Sequence, residues 1–346
     1  MSVKPRALIT GATGFIGRQL TKAALRRGWE VYVLVRQPDS DRARGLAAQG
    51  ARLLLGDVTQ RETLKAALDV ARPRFLFHNA GWYEYGIPRR LQRRMWAVNV
   101  EGTEHALTLA AEAGVARTVF TSSTTALGDT GGAVEDESFE RRKPWNSFYE
   151  HTKAEAHRLA LRHQAAGEPV IIACPAQVIG PGDHSVFGIP ARLFVRRRLP
   201  PLAWAPDGAF TFAHVDDVAD GMLAVAERGR PGEIYFLGGH ILTVREMIDV
   251  WEETMHRKAV WLWLPRSLAL AQSAVLGPAL PMLGLREFVS LEAVRSAYVS
   301  FRYTSSKAEA DLGLKFRPAE QAWRETLLAE EALWLASRSR PRGTGP

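Results

Sequence analysis

The sequence predicts an α/β fold: a doubly wound parallel sheet with a smaller, mainly helical C-terminal lobe. Two observations carry this expectation. Short apolar runs alternate with helix-like stretches through the first half, and those runs are nearly continuous rather than alternating with polar residues. Continuous runs mark strands covered on both faces, and strand–helix alternation marks parallel sheets joined by crossover helices. With 346 residues, 46% of them hydrophobic and 24% charged, the chain can fill a large core.

In chain order, strands are expected at 6–10, 31–35, 52–56, 74–80, 117–123 and 169–175, with helices at 15–27, 60–70, 88–113 and 148–166. Between the first strand and first helix, "LITGATGFIG" places Gly11, Gly14 and Gly17 in the turn. Glycines there allow a tight turn and let backbone approach a pyrophosphate at a helix N-terminus. This context marks a dinucleotide site formed by the glycines with Thr13, Phe15 and Ile16, although the spacing is G-x-x-G-x-x-G rather than G-x-G-x-x-G. After Pro175 the rhythm changes. Residues 180–208 are rich in Gly and Pro and suit loops that cap the sheet. A strand at 233–239 returns to the sheet, and helices follow at 243–256 and 318–338. The implied division is a Rossmann-type domain over 1–175, rejoined by 211–240, a substrate lobe of 176–210 and 241–337, and a disordered tail at 338–346.

The second strand ends in Val35 and Arg36. An acidic residue there would grip the 2′-hydroxyl of NAD; an arginine accommodates the 2′-phosphate of NADP. NADP(H) is therefore the expected cofactor, with NAD(H) as the alternative. Asp57 and Val58 follow the third strand and would frame the adenine. Asn79, Ala80 and Gly81 follow the fourth and would line the adenosine side.

Net charge is +8, but the basic residues are dispersed at 89–94, 141–143, 196–198 and in the tail, with no nucleic-acid-binding signature. They read as solvated helix faces, and no nucleic-acid partner is expected. A single cysteine, Cys174, excludes an intramolecular disulfide and any multi-cysteine metal site, so no metal is expected. The first residues lack an apolar signal-type stretch, which makes a cytoplasmic location the expectation. Residues 267–285 run without a charge for nearly the length of a membrane span. Gly277, Pro278, Pro281 and Gly284 would break such a helix, so a buried or substrate-lining segment is expected, with a lip resting on a membrane surface as the alternative.

Eight motifs in order, "TGATGFIG", "GDVT", "NAG", "NVEGT" (99–103), "FTSSTTALG" (120–128), "YEHTK" (149–153), "PAQVIGPGD" (175–183) and "HVDDVA" (214–219), make the chain resemble the extended short-chain dehydrogenases/reductases, also called the NAD-dependent epimerase/dehydratase family. Within that family the resemblance is strongest to dihydroflavonol-4-reductase-like, 3β-hydroxysteroid-dehydrogenase-like and hopanoid-associated sugar epimerase-like members. It implies that Tyr149 and Lys153 are the family's Tyr-x-x-x-Lys pair, on one helix face by their i,i+4 spacing. Lys153 would lower the tyrosine pKa and hold the nicotinamide ribose. Ser123 is the implied catalytic serine, with Ser122 and Thr124 as alternatives. Asn99 would support Lys153, directly or through a water molecule, Thr121 would lie against the cofactor, and Pro175 and Val178 would border the nicotinamide. The resemblance also implies a homodimer formed through helices 88–113 and 148–166.

His151, the residue most often used for acid–base work near neutrality, lies two positions from Tyr149 and Glu150 lies one, so both are expected to face away. His214 reads as structural, Asp216 and Asp217 as a helix start, and Cys174 as a core residue. Where many sugar-nucleotide members carry an arginine–aspartate pair before "HV", this chain has Phe210 and Thr211; Arg192 and Arg196 are nearby substitutes. Trp82, Tyr83 and Tyr85 reach toward the expected substrate side with Thr124, and Trp204 adds apolar surface. The leading reading is an NADP(H)-dependent oxidoreductase interconverting a ketone and a secondary alcohol on a hydrophobic or ring-shaped small molecule. The alternatives are a sugar or nucleotide-sugar epimerase/dehydratase with retained NAD(P), and a non-catalytic NADP-sensing regulator.

Overall fold

A computed structural model describes residues 4–276 and 290–339. Twelve strands are present among them: β1 (Arg6–Thr10), β2 (Glu30–Val35), β3 (Arg52–Leu55), β4 (Phe75–His78), β5 (Arg117–Thr121), β6 (Val170–Pro175), β7 (Gln177–Ile179), β8 (Leu202–Trp204), β9 (Ala209–His214), β10 (Ile234–Leu237), β11 (His240–Thr243) and β12 (Leu262–Leu264). Seven form one parallel sheet in the order β3-β2-β1-β4-β5-β6-β10. The order reverses between β1 and β4, and a ligand crevice forms outside the carboxyl ends of strands at such a switch point. Every residue of β4 and of β6 is buried, the physical reason their apolar runs are continuous.

Helices Phe15–Arg26 and Val215–Arg228 cover one face, and Arg61–Ala71 and Gly102–Glu112 the other. A third core joins Phe120 and Ile172 of the sheet to Phe212, Trp251 and Trp323 of the C-terminal half, so the two halves share apolar interior. Helix starts follow capping chemistry: Ser147 accepts from the Glu150 N–H, and Thr243 and Glu246 form a reciprocal capping box.

The structure differs from the expected layout at several points. Helix 88–113 is interrupted by a π-helical turn at Ala97–Glu101. Residues 211–214 lie in β9, which pairs with β7 and β11 in a separate three-stranded sheet; the chain rejoins the main sheet through 215–237 instead of 211–240. The expected loop region holds a helix, Gly188–Val195, and a further unforeseen helix spans Asp41–Ala48. In the uncharged stretch, 267–276 belongs to the helix Arg266–Leu276, where Leu268 and Val275 are exposed while Ala269 and Ser273 are buried. Residues 277–285 lie outside the described residues. So do 340–346 of the expected tail, whereas Arg338 and Ser339 end the helix Ala319–Ser339. Among the described residues no helix is long and apolar enough to cross a membrane.

Candidate active site

The crevice begins at the glycine turn. Gly11 adopts φ +67°, and a Cβ there would lie 2.6 Å from the Asn79 carbonyl oxygen. A Cβ on Gly17 would sit 2.2 Å from the Gly11 carbonyl oxygen, so helix and turn can close only without side chains. Gly14 is the N-cap of the following helix, which has no side-chain cap and no acidic residue in its first turn. Its first N–H groups are thus available to an anion, as a dinucleotide pyrophosphate requires.

Positive charge gathers at this end. Arg18 donates to the Gly14 carbonyl at 3.3 Å, and burial, then the neighbouring Arg42, lowers its pKa. Burial, then Arg42, Arg192 and Arg18, likewise depresses His184. Arg36 is exposed at the end of β2. Neither Arg18 nor Arg42 was singled out from sequence; the signal available was an arginine one residue past the last glycine. The crevice therefore fits a dinucleotide by shape and by charge.

The remaining candidate cofactor residues fall into two groups. Asn79 reaches the Gly11 carbonyl at 3.5 Å, and the Ala80 N–H donates to Thr10 Oγ1 at 3.1 Å, which ties the fourth strand's loop to the first. Gly81 is exposed there, Thr13, Phe15 and Ile16 are half-buried at the turn, Pro175 ends β6 at the sheet's carboxyl edge, and Val178 lies just beyond it in β7. Val58, by contrast, is buried in the core against Gly102, and Asp57 closes a turn by accepting from Thr59.

At the carboxyl end of β5, Ser123 caps the short helix Thr124–Leu127, and its Oγ accepts from the Thr125 N–H and hydroxyl. The Tyr149 hydroxyl lies near enough to Thr125 and Ser123 for both hydroxyls to lower its pKa. Ser122 instead meets His157 Nδ1 at 2.8 Å, and Thr124 Oγ1 is buried without a hydrogen-bond partner. Of the candidate hydroxyls, Ser123 reaches Tyr149, and so does Thr125, which sequence reasoning passed over because five consecutive hydroxyl residues look alike until a turn aims them. Burial raises the Tyr149 phenol to about 12, against those two hydroxyls.

Lys153 lies on the same helix. Its ammonium donates to the Thr121 carbonyl at 2.8 Å and sits 5.4 Å from the Phe120 ring, and burial lowers its pKa to about 8. The expected lowering of the tyrosine pKa is not present in this arrangement, because the charge is directed at a carbonyl and desolvation dominates. Nor does Asn99 touch Lys153. It binds the backbone of Trp82 through both ends of its amide and the Thr152 hydroxyl at 2.9 Å, fixing the loop after β4.

His151 faces away, stacked on Trp145 at 4.1 Å with its Nε2 3.3 Å from Glu155. Glu150 also turns from Tyr149, but into the protein. It is fully buried and accepts from Arg141, the Asn146 N–H and Ser296. Arg141 in turn donates to the Thr125 and Ala126 carbonyls beside Ser123. His214 caps the helix Val215–Arg228, and Asp217 pairs with Arg317. His78 is a buried neutral link between Thr10 and Thr103, its pKa lowered by burial to about 3. Among the described residues no cluster of His, Cys, Asp or Glu could hold a metal.

On the substrate side, Tyr83 stands edge-on to Tyr149 with ring centroids 4.9 Å apart, and Tyr85 lies 5.9 Å away. The Trp82 indole is turned aside to Glu84. Behind Tyr85 opens a cavity of about 110 Å³ lined by Trp204, Phe210, Met247, Trp251 and Phe301. An apolar cavity of about 150 Å³ holds a benzene ring, so this volume suits a compact apolar group. Phe210 stacks on Phe301, and Thr211 is buried on the Phe301 and Tyr303 carbonyls. Arg192 is bound by Glu330 and so is not free to grip a diphosphate.

The NAD dependent epimerase/dehydratase family model matches residues 7–238. A 4-hydroxy-2-methyl-3-oxo-4-farnesyl-3,4-dihydroquinoline-1-oxide ketoreductase of Stigmatella aurantiaca is 33% identical over 261 residues, covering 73% of this chain and 74% of its own. Sterol demethylase protein B of Methylococcus capsulatus is 30% identical over 309 residues, covering 88% of this chain and 89% of its own. Among solved structures, that of gox2253 superposes with a TM-score of 0.78 at 29% identity, covering 97% of this chain and 99% of its own.

Proposed function

The chain belongs to the NAD dependent epimerase/dehydratase family and is an NAD(P)-dependent oxidoreductase of the extended short-chain type, and from that premise we propose that it reduces a ketone on a hydrophobic, ring-bearing small molecule using NADPH. The observation that carries this reading is a neutral phenol, Tyr149, lying near Ser123 and Thr125 and separated by Tyr85 from an apolar cavity. The named substrate of the Stigmatella relative, a ketone on a farnesylated ring, is of this class.

In the mechanism, NADPH when bound supplies the hydride. The glycine turn would hold its pyrophosphate, Arg36 with Arg42 its 2′-phosphate, and Lys153 its nicotinamide ribose. Ser123 and Tyr149 bind the substrate oxygen by hydrogen bonds. Tyr149 then donates its proton to that oxygen. A phenol raised to about 12 keeps its proton at neutral pH, the form from which reduction proceeds. Phe210 in place of a diphosphate-binding arginine speaks against a nucleotide-sugar epimerase. Residues 1–175 with 215–237 make the cofactor half of this reading. Self-association is proposed through the helices at 89–112 and 148–165.

Spectrophotometric assay with prenylated, aromatic and fused-ring ketones should show stoichiometric loss of NADPH. No consumption with any of them would sink the reading, since an epimerase or a sensor leaves NADPH intact. In the same assay NADPH should outperform NADH, and Arg36→Ala should weaken NADPH roughly tenfold while leaving NADH unchanged. Equal losses for both cofactors would remove Arg36 from the 2′-phosphate site.

The pH dependence follows from two buried groups. Tyr149 keeps its proton to about 12, and Lys153 keeps its charge only below about 8. Reduction needs both protonated, so kcat/KM, which reports the free enzyme, should be flat on the acid side and fall as pH rises through about 8. Lys153→Arg should move that limb to higher pH, because a guanidinium stays protonated. An unmoved limb would assign it to another group.

A further inference from the structure

The wall of the apolar cavity is also a surface of the molecule. β8 contributes Leu202, Ala203 and Trp204 to the cavity, and β12 pairs with β8 in parallel. Beyond that ribbon large apolar side chains stand in solvent: Trp261 is 78% exposed and Leu262 56%, and on the helix Arg266–Leu276 Leu268 is 56% and Val275 74% exposed. Single exposed apolar residues are ordinary, but four on consecutive elements mark a contact surface.

The charge around them is mainly positive, with the exposed Asp207 and Glu253 standing just outside two basic segments. Residues 184–206 and 254–276 contain no aspartate or glutamate, yet hold Arg192, Arg196, Arg197, Arg198, Arg257, Lys258 and Arg266. The two segments form one face: Arg257 donates to the Phe194 and Val195 carbonyls, and the Trp261 N–H donates to the Pro201 carbonyl at 2.9 Å. Neighbouring elements supply Glu252 and Glu330, which pair with Lys258 and Arg192. Arg196, Arg197, Arg198 and Arg266 are exposed, with no carboxylate at salt-bridge distance among the described residues.

We propose that this face docks on the surface of an anionic lipid bilayer, with Trp261, Leu262, Leu268 and Val275 at the headgroup–acyl boundary and the arginines on lipid phosphates. Tryptophan and leucine suit that boundary, and each cation near an anionic leaflet adds to the attraction. A second copy of the same face is a poorer occupant, since two surfaces of like charge repel. Docking would set the cavity wall against the membrane and give a lipophilic ketone a short path to Tyr149; that consequence rests on the ketoreductase reading, whereas the docking does not.

Flotation of the full chain with phosphatidylcholine vesicles, with and without phosphatidylglycerol, tests it. Mixed vesicles should capture the chain and raised salt should release it. Joint Trp261→Ser and Leu262→Ser changes should lower capture about tenfold or more. Arg196→Gln with Arg198→Gln should lower it too, with thermal melting and NADPH affinity unchanged in both variants. The proposal is overturned if no vesicle captures the chain, if neutral vesicles capture it equally and without salt sensitivity, or if the serine changes leave capture intact. It is equally overturned if sedimentation shows a dimer that the serine changes dissociate while vesicles capture nothing. Capture without ketone turnover would refute the ketoreductase reading alone.

Discussion

Tyr149→Phe is expected to lower turnover by about a thousandfold, the middle of the range for a lost general acid, while NADPH affinity is unchanged. The substitution removes one oxygen from a ring that is otherwise held by packing. Tyr83 stands edge-on to it and Tyr85 borders it, so the phenyl group should keep its place. What disappears is the proton that ends on the substrate oxygen, together with the interaction with the Ser123 and Thr125 hydroxyls. Among the described residues, neither nearby histidine is poised to substitute. His151 is stacked on Trp145, and His157 is bound to Ser122 with its pKa lowered by burial to about 4. Steady-state assay with a cofactor titration separates the effects. Retained turnover would mean the proton comes from elsewhere, and lost cofactor binding would mean that the variant disturbed the crevice.

The largest expected effect on stability belongs to the neighbouring residue. Glu150→Ala should destabilise the fold by about 3 kcal/mol, because removing one partner of a buried ion pair leaves the other uncompensated. Glu150 is fully buried, and three groups depend on its carboxylate: Arg141, the Asn146 N–H and Ser296. A loss of that size lowers the melting temperature by about 4 °C in a chain of this length. Turnover should fall as well, since Arg141 holds the Thr125 and Ala126 carbonyls beside Ser123. Glu150→Gln keeps the shape and acceptor oxygen and should recover part of both losses. A melting temperature within a degree or so of the parent for Glu150→Ala would show that Arg141 finds enough compensation from carbonyls and water.

The sheet strands and the glycine turn were legible because their signals are local. A buried parallel strand reads as a continuous apolar run, and a turn that admits no Cβ reads as glycine. Tyr149 and Lys153 were legible for the same reason, since four residues are one helical turn. The helix Asp41–Ala48 has only eight residues with a glycine inside it, and buries only Ala43 and Leu46, so it carries little periodicity to read. β9 was not read as a strand: residues 211–214 were assigned to the sheet domain, and only the fold shows that they pair in a separate sheet. The π-helical turn inside 88–113 left no mark of its own in the apolar pattern.

At the site the division is similar. The sequence by itself determined the chemical groups: a glycine turn for phosphate, a tyrosine and lysine one helical turn apart, hydroxyls after the fifth strand, and Phe210 where an arginine would bind diphosphate. Tertiary structure decided which of those groups meet and in what ionic form. It selected Ser123 and added Thr125, sent Ser122 to His157, and put Lys153 on a backbone carbonyl. It also converted Glu150, on sequence a polar neighbour facing away, into the buried anchor of Arg141. Spacing along one helix follows from covalent geometry and can be counted. Burial, and with it the proton affinity of a phenol or an ammonium, depends on chain segments that come together only when the fold closes.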